Sequence, residues 1–382
     1  MTNTTTVDTT DPTTQPAGRE RVPTIIIGAG QTGLATAYFL TRRGHRCLVL
    51  HEHTRVGDVW RRRYASLHLN TPARYDGLPG MAFPAPRNSF PSGAQMGDYL
   101  EAYAEKFCFD VQGLTRVSRV ERTDTGFVVT TSSGVLEADQ VVVATGGEHH
   151  PRVPELADRL DPDIRQLHSG DYRDPSQLLP GPTLVVGAGQ SGADLALEIA
   201  GAGHETWLSG TPAGEIPVEL DSPKARIVGP VLFFIAHHVL TERTRAGRRA
   251  RDRIRSGGAA PLVRVKLHHL ADAGVHHVPE RTTDVVDGQP VLADGTVLDV
   301  ANVVWCTGYR QDFSFIHPSP MGEDGWPRDV GGVMEDLPGL YFMGLLFQRG
   351  FYSMLVGGAG RDAKYIAQKV LARARVTDRS AA

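Results

Sequence analysis

Apolar and polar positions along this 382-residue chain fall into blocks whose period changes abruptly. Residues 24–27 form a short β-branched apolar run, the pattern of a buried strand, and the Ala/Leu-rich stretch after Gly33 has helical spacing. Residues 46–50 predict a second buried strand. Residues 64–91 are rich in Pro, Gly and aromatics with little periodicity and predict an ordered loop layer. An amphipathic helix is expected over 95–107, and a β-meander over 117–144 with turns at Thr125-Gly126 and Ser133-Gly134. A linker rich in Pro, Asp and Arg follows, from 149 to 182. The pattern then restarts as strand (183–186), helix (191–202), strand (205–208), a strand and hairpin (275–299) and a buried strand (303–306). A last strand over 340–343 and a helix over about 361–374 close the chain.

Each of the two leading strands runs into the same six-residue pattern. GAGQTG occupies 28–33 and GAGQSG occupies 187–192, a spacing of 159 residues. In such a turn the first glycine (Gly28, Gly187) permits the sharp bend and the second (Gly30, Gly189) lets backbone approach a pyrophosphate. The third (Gly33, Gly192) lets helix pack on strand. The phosphates rest on the helix N-terminus formed by Gln31 in one copy and by Gln190 and Ser191 in the other, where free N–H groups favour negative charge. A second echo lies 162 residues apart: a buried strand ends in Ala144-Thr145-Gly146 and again in Cys306-Thr307-Gly308. The expected fold is therefore α/β, with two Rossmann-like dinucleotide-binding domains, the second inserted in the first, each with a β-meander. The expected boundaries are a disordered tail (1–21), an FAD-binding domain in two parts (22–150 and 301–376), and an NAD(P)-binding domain (151–300) with a basic insertion at 229–255.

Composition narrows the partners. With 41% apolar residues the chain can bury full cores, and a net charge of −3 gives no global field for nucleic acid. Cys47, Cys108 and Cys306 are far apart with no C-x-x-C pair, so core thiols are expected rather than metal ligands or a redox pair. No metal site is predicted, and the cysteine usage suits a reducing cytoplasm. The Thr-rich N-terminus has no apolar core and does not read as a signal peptide.

Glu52 lies 19 residues past Gly33, where an acid hydrogen-bonds a ribose hydroxyl, so FAD fits the first site. The corresponding strand end in the second copy, Trp207-Leu208-Ser209-Gly210-Thr211, has no carboxylate to repel a 2′-phosphate. Ser209 there favours NADPH, with NADH as the alternative. A flavin beside a nicotinamide implies hydride transfer, and the lack of a cysteine pair turns the chemistry away from disulfide reduction.

Together the motifs resemble a class B flavin-dependent monooxygenase, the group of flavin-containing monooxygenases, YUCCA enzymes and Baeyer–Villiger enzymes. The carriers are both glycine fingerprints, Glu52, GDVWRRRY (57–64), LHLNTP (67–72), ATGG (144–147), CTGY (306–309) and GLLFQ (344–348). The resemblance implies that Gly57, Val59 and Trp60 lie along the flavin, that Gly344 joins its site, and that Asn70 helps hold the oxygenated flavin and the nicotinamide. The alternative for Asn70 is a turn residue before Thr71-Pro72. One departure is visible: the family's F-x-G-x-x-x-H-x-x-x-[YFW] stretch keeps His168 and Tyr172 but has Pro162 and Ile164 in place of Phe and Gly. The implied activity is an FAD- and NADPH-dependent monooxygenase that forms a C4a-(hydro)peroxyflavin with O2 and transfers one oxygen atom to a small organic substrate. The alternative is a reductase that hands electrons to a quinone or other acceptor.

An apolar block at 231–240 precedes an arginine-rich stretch from Arg243 to Arg255. An internally packed helix followed by a solvated arginine face is the favoured reading. A membrane-surface helix, a substrate-access element and a homodimer contact are the others. The apolar block is too short to span a bilayer.

Overall fold

The computed structural model of the protein describes residues 20–219 and 222–381. The tail expected over 1–21 lies outside the described residues up to residue 19, whereas Arg21 is ordered and opens the first strand. Its guanidinium binds Asp139 at 2.5 Å.

The first sheet gathers β1 (Arg21–Ile27), β2 (Cys47–Leu50), β3 (Val111–Gln112), β4 (Val117–Thr123), β5 (Gly126–Thr131) and β6 (Gly134–Val143). Its parallel part has the order β3-β2-β1-β6, and β6 is long enough to serve twice. Its first half closes the antiparallel meander β4-β5-β6, with the turns where the sequence placed them. Its second half lies between β1 and a strand from the far end of the chain, Leu340–Phe342 (β19). Helices α1 (Gln31–Thr41), α2 (Asp58–Arg61) and α3 (Gly93–Lys106) follow in this half of the chain. Ser92 and Gln95 make a reciprocal capping box that starts α3 two residues earlier than the periodicity suggested. The C-terminal helix α8 (Ala359–Ala381) returns to this domain. Ala363, Ile366, Ala367 and Val370 share its buried cluster with Leu34, Ala35 and Ala37 of α1.

The second sheet is built on the same plan from a different chain order. It contains β8 (Arg165–His168), β9 (Thr183–Val186), β10 (Thr206–Ser209), β11 (His276–Val278) and β14 (Asn302–Trp305), with α4 (Gln190–Gly201) after β9. All pairings are parallel, in the order β11-β10-β9-β14-β8. Position by position this matches β3-β2-β1-β6-β19, but the fifth strand precedes the fingerprint instead of ending the domain. The stretch read as a linker thus supplies an edge strand. The meander of this domain is a two-stranded ribbon, β12 (Thr282–Val286) and β13 (Gln289–Leu292), extended by a single bridge from Val291 to Val297.

The two crossings between the sheets pair with each other as β7 (His150–Pro151) and β15 (Tyr309–Arg310). The boundary expected at 301 is corrected by this pairing: β14 is a central strand of the second sheet, and the chain leaves that domain only after Tyr309. It then adds β16 (Ile316–His317) to the edge of β4 and reaches β19 through β17 (Asp329–Val330) and β18 (Val333–Met334). Between β10 and β11 stand α5 (Ala225–Phe234), a π turn over Ile235–Val239, α6 (Arg245–Arg255) and α7 (Leu267–Asp272). Among the described residues no helix is long and apolar enough to cross a membrane.

Candidate functional site: two dinucleotide cradles

The two fingerprints fold into near-identical turns. Gly28 has φ +110° and Gly187 φ +109°. A Cβ at Gly28 would stand 2.5 Å from the Ala144 carbonyl oxygen, and one at Gly187 2.5 Å from that of Cys306. The first glycine of each turn is therefore required where the fingerprint meets the small-residue strand end, which ties the two sequence echoes into one device. A Cβ at Gly33 or Gly192 would lie 2.0 or 1.8 Å from the carbonyl oxygen of Gly28 or Gly187, the close approach of helix to strand.

The middle glycines behave differently. A Cβ at Gly30 meets nothing within 4 Å, and one at Gly189 meets only the Ala259 methyl at 3.9 Å. Their neighbourhoods are open on the side where a phosphate would lie. Gly30 and Gly189 are the N-caps of α1 and α4, neither helix start is capped by a side chain, and neither first turn carries an acid. The N–H groups and the positive helix ends are thus left for an anionic group. Gly146 (φ +78°) and Gly308 (φ +80°), at the neighbouring strand ends, also face open space. These features fit a dinucleotide in each domain.

Around the first cradle, Gly28 N–H donates to Leu50 O at 2.7 Å, which sets the end of β2 beside the fingerprint. Glu52 follows with a half-exposed side chain, and Arg116 and His53 stand no closer than 3.9 Å to its carboxylate. That carboxylate is free to accept from a ribose hydroxyl. Trp60 Nε1 donates to Gln31 Oε1 at 3.3 Å, which brings the GDVWRRRY loop onto the helix start. Gly57 (φ +87°) is forced by packing, since a Cβ there would come within 2.2 Å of Gly97 O, while Val59 is half-exposed. Gly344 (φ +80°) rests on Thr32 of α1, placing GLLFQ at the same cradle. Thr145 is bonded to the His149 ring at 3.1 Å.

The LNTP loop carries unmet polar groups. Asn70 Oδ1 is buried with no hydrogen-bond partner, as is Asp76 Oδ2. Thr71 Oγ1 donates to the other Asp76 oxygen at 2.5 Å. Asp76 is fully buried, and that burial pushes its carboxyl up to about 7 against the opposing pull of the Thr71 hydrogen bond. An orphaned amide oxygen in this loop suits a group that accepts its neighbour's hydrogen bond only when a ligand is present.

In the second cradle, Gln190 holds the loop above it: its amide nitrogen donates to Pro261 O and its oxygen accepts from Val263 N–H at 3.3 Å. Ser191 stands in the first turn of α4 and Thr307 Oγ1 donates to Arg152 O. Ser209 is placed otherwise than expected. It is buried and its hydroxyl is 2.9 Å from Thr282 Oγ1, so the side chain is spent inside the domain rather than offered to a nucleotide. Thr211 likewise donates to Pro279 O. His168 ends β8; its Nδ1 accepts from Gly170 N–H (3.1 Å), which leaves Nε2 to donate to Gly308 O (3.0 Å). It therefore fixes the turn after β14, and Tyr172 fills the second domain's core.

Sequence reasoning gave no role to the contacts that join the two halves. Tyr64 reaches from the GDVWRRRY loop and donates to Asp194 on α4 at 3.0 Å, and Arg264 pairs with the same carboxylate at 3.3 Å. Arg63 pairs with Glu148 at 2.8 Å beside Tyr309. An acid on the buried face of the helix after GAGQSG was the available signal. Glu219, His268 and His269 also cluster, but Lys266 already pairs with Glu219 at 2.7 Å. Lys266 N–H donates to His269 Nδ1, which puts the ring proton on Nε2, the atom a metal would need.

The chain shares its family and fold with known proteins. The pyridine nucleotide-disulphide oxidoreductase family matches residues 25–227. An uncharacterised CzcO-like oxidoreductase of Geobacillus kaustophilus is 36% identical, covering 92% of this chain and 98% of that protein. A probable indole-3-pyruvate monooxygenase of Arabidopsis thaliana, YUCCA9, is 26% identical over 91% of this chain and 88% of its own. The structure of a flavin-containing monooxygenase from Stenotrophomonas maltophilia superposes with a TM-score of 0.73 at 26% identity, covering 93% and 99% of the two chains.

Proposed function

Because the chain belongs to the pyridine nucleotide-disulphide oxidoreductase family and is a flavin-dependent enzyme of the class B monooxygenase kind, we propose that it oxidises NADPH, delivers one atom of O2 to a small organic substrate and releases the other as water. FAD belongs at the first cradle, with Gly28, Gly30 and Gly33 at the pyrophosphate and Glu52 on the ribose. NADPH belongs at the second, with Gly187, Gly189 and Gly192 in the same parts. Preference for NADPH rests on the absence of an acid at the end of β10, where a carboxylate would repel a 2′-phosphate. When bound, the flavin supplies the redox and oxygen chemistry. The chain's own residues bind, orient and exclude water. Trp60 and Gln31 hold the loop against the helix start, and Tyr64, through Asp194, and Arg63, through the Tyr309 hydroxyl, fix its far end to the nucleotide domain. Among the described cysteines, Cys47 and Cys306 are held protonated by burial, their thiols pushed up to about 12, which leaves no dithiol for a disulfide route.

The observation that carries oxygen delivery is the orphaned Asn70 Oδ1, a buried amide oxygen without a protein partner in the loop that the resemblance sets at the flavin. Stopped-flow mixing of NADPH-reduced protein with oxygen should give a transient flavin absorbance distinct from both the oxidised and the reduced forms. Asn70→Ala should shorten its lifetime about five- to 150-fold, the value of one hydrogen bond of about 1–3 kcal/mol in a dry site. FAD content and the rate of reduction by NADPH should change much less. An unmutated protein that gives no transient and passes its electrons to a quinone would overturn the reading.

A further inference from the structure

We propose that residues 224–255 dock the enzyme on an anionic phospholipid bilayer. The segment has two faces. Its inner face is clamped to the first domain: Phe233 stacks on Tyr75 with ring centroids 4.0 Å apart, His237 stacks on Tyr352 at 5.1 Å, and Arg361 donates to His237 O at 2.7 Å. The helix is thereby held rigidly, and its other side is left outward. There Ile227, Val231 and Phe234, at i, i+4 and i+7 of one helical stripe, are 77%, 55% and 57% exposed. Three large apolar side chains in one row on a fixed helix are an exposed patch rather than scattered surface residues.

Charge identifies the occupant. Residues 224–255 contain nine Lys and Arg against two acids, in a chain whose net charge is −3. The two acids are already taken, since Glu242 and Asp252 both bind Arg251. Among the described residues Arg243, Arg245, Arg249 and Arg253 are exposed and no acid pairs with them. A second copy of the chain is a poor occupant: an isologous contact through this face sets like arginines against one another. A nucleic acid would use the arginines but leave the apolar stripe in water. An anionic bilayer takes both, with Ile227, Val231 and Phe234 at the acyl boundary and the guanidinium groups among the phosphates.

The test uses the full chain with FAD and vesicles of phosphatidylglycerol mixed with phosphatidylcholine, compared with phosphatidylcholine alone. Co-sedimentation is expected only with the anionic vesicles, and salt should weaken it. Arg245→Glu with Arg249→Glu should reduce partitioning by roughly fivefold or more per charge. The triple change Ile227→Ser, Val231→Ser, Phe234→Ser should abolish it, with NADPH oxidation in solution unchanged. A polarity-sensitive dye at Val231→Cys, in a Cys108→Ser background, should shift blue on the anionic vesicles, and this readout does not depend on the triple variant folding. Equal binding to both vesicle types, a dye that does not shift, or a patch that instead drives concentration-dependent dimerisation would overturn the proposal.

Discussion

Gly30 and Gly33 lie three residues apart in one turn, yet a methyl added at each meets opposite surroundings. At Gly33 it would press on the Gly28 carbonyl oxygen at 2.0 Å, backbone that cannot move without opening the strand–helix junction. At Gly30 it meets no protein atom within 4 Å. Gly33→Ala should therefore destabilise the flavin-free protein, by about 1–3 kcal/mol as overpacking usually does. Gly30→Ala should leave the melting temperature of flavin-free protein unchanged and weaken FAD binding about tenfold or more, because the methyl would stand where the proposed site takes the pyrophosphate. Thermal melts of stripped protein and FAD titrations check both halves; an unstable Gly30→Ala apoprotein would mean that the open space is not a phosphate site. The close helix–strand approach at Gly33 was legible from spacing alone. The role of Ser209 was not, because its burial against Thr282 depends on the ribbon β12-β13, which no local pattern places there.

At the scale of elements, the 70–76 loop joins an orphaned amide to a buried acid. Asp76 is held near 7 by burial, above the value of about 4 for a free aspartate. A carboxyl raised in the folded state contributes its stability fully below pH 4, and that contribution is lost as pH rises through 7. The loss is on the order of 4 kcal/mol for a shift of this size. Unfolding by denaturant between pH 4 and 8 should show this fall, and Asp76→Asn, which keeps a neutral side chain of the same shape, should flatten it. A slope that survives the substitution would assign it to another group. The loop was visible in the sequence as a Pro- and Gly-rich layer, but no periodicity marks a single buried acid within it. Strand β8 escaped for a related reason: of Arg165–His168 only His168 is buried, so the edge strand lacks the alternation that reveals a strand. The core strands β1, β9 and β14 are apolar runs and were all legible, though assigning β14 to the second sheet required its pairing with β9.

On the scale of the whole molecule, the proposed function requires the nicotinamide of one cradle to meet the flavin of the other, and Tyr64 and Asp194 join the domains that carry the two cradles. Tyr64 follows the loop that Trp60 fixes to the first helix start, whereas Asp194 sits on the helix whose N-terminus forms the second cradle. Burial raises the Asp194 carboxyl, opposed by Arg264 and by the Tyr64 hydroxyl. Tyr64→Phe removes one of its two partners without changing the packed ring, leaving a buried acid short of a donor at a cost of about 1–3 kcal/mol. The loss falls on the contact between domains rather than within either cradle. FAD content should therefore stay near that of the unmutated protein, while reduction of the flavin by NADPH should slow about five- to 150-fold if the full cost is felt in the productive alignment. A double-mutant cycle with Asp194→Asn separates the two possibilities for where Tyr64 acts. Coupling between the substitutions in the reduction rate places the bond in the alignment of the two domains. Additive effects, with reduction unchanged in Tyr64→Phe, would make the bond a packing contact only and leave the alignment to Arg63 and Tyr309.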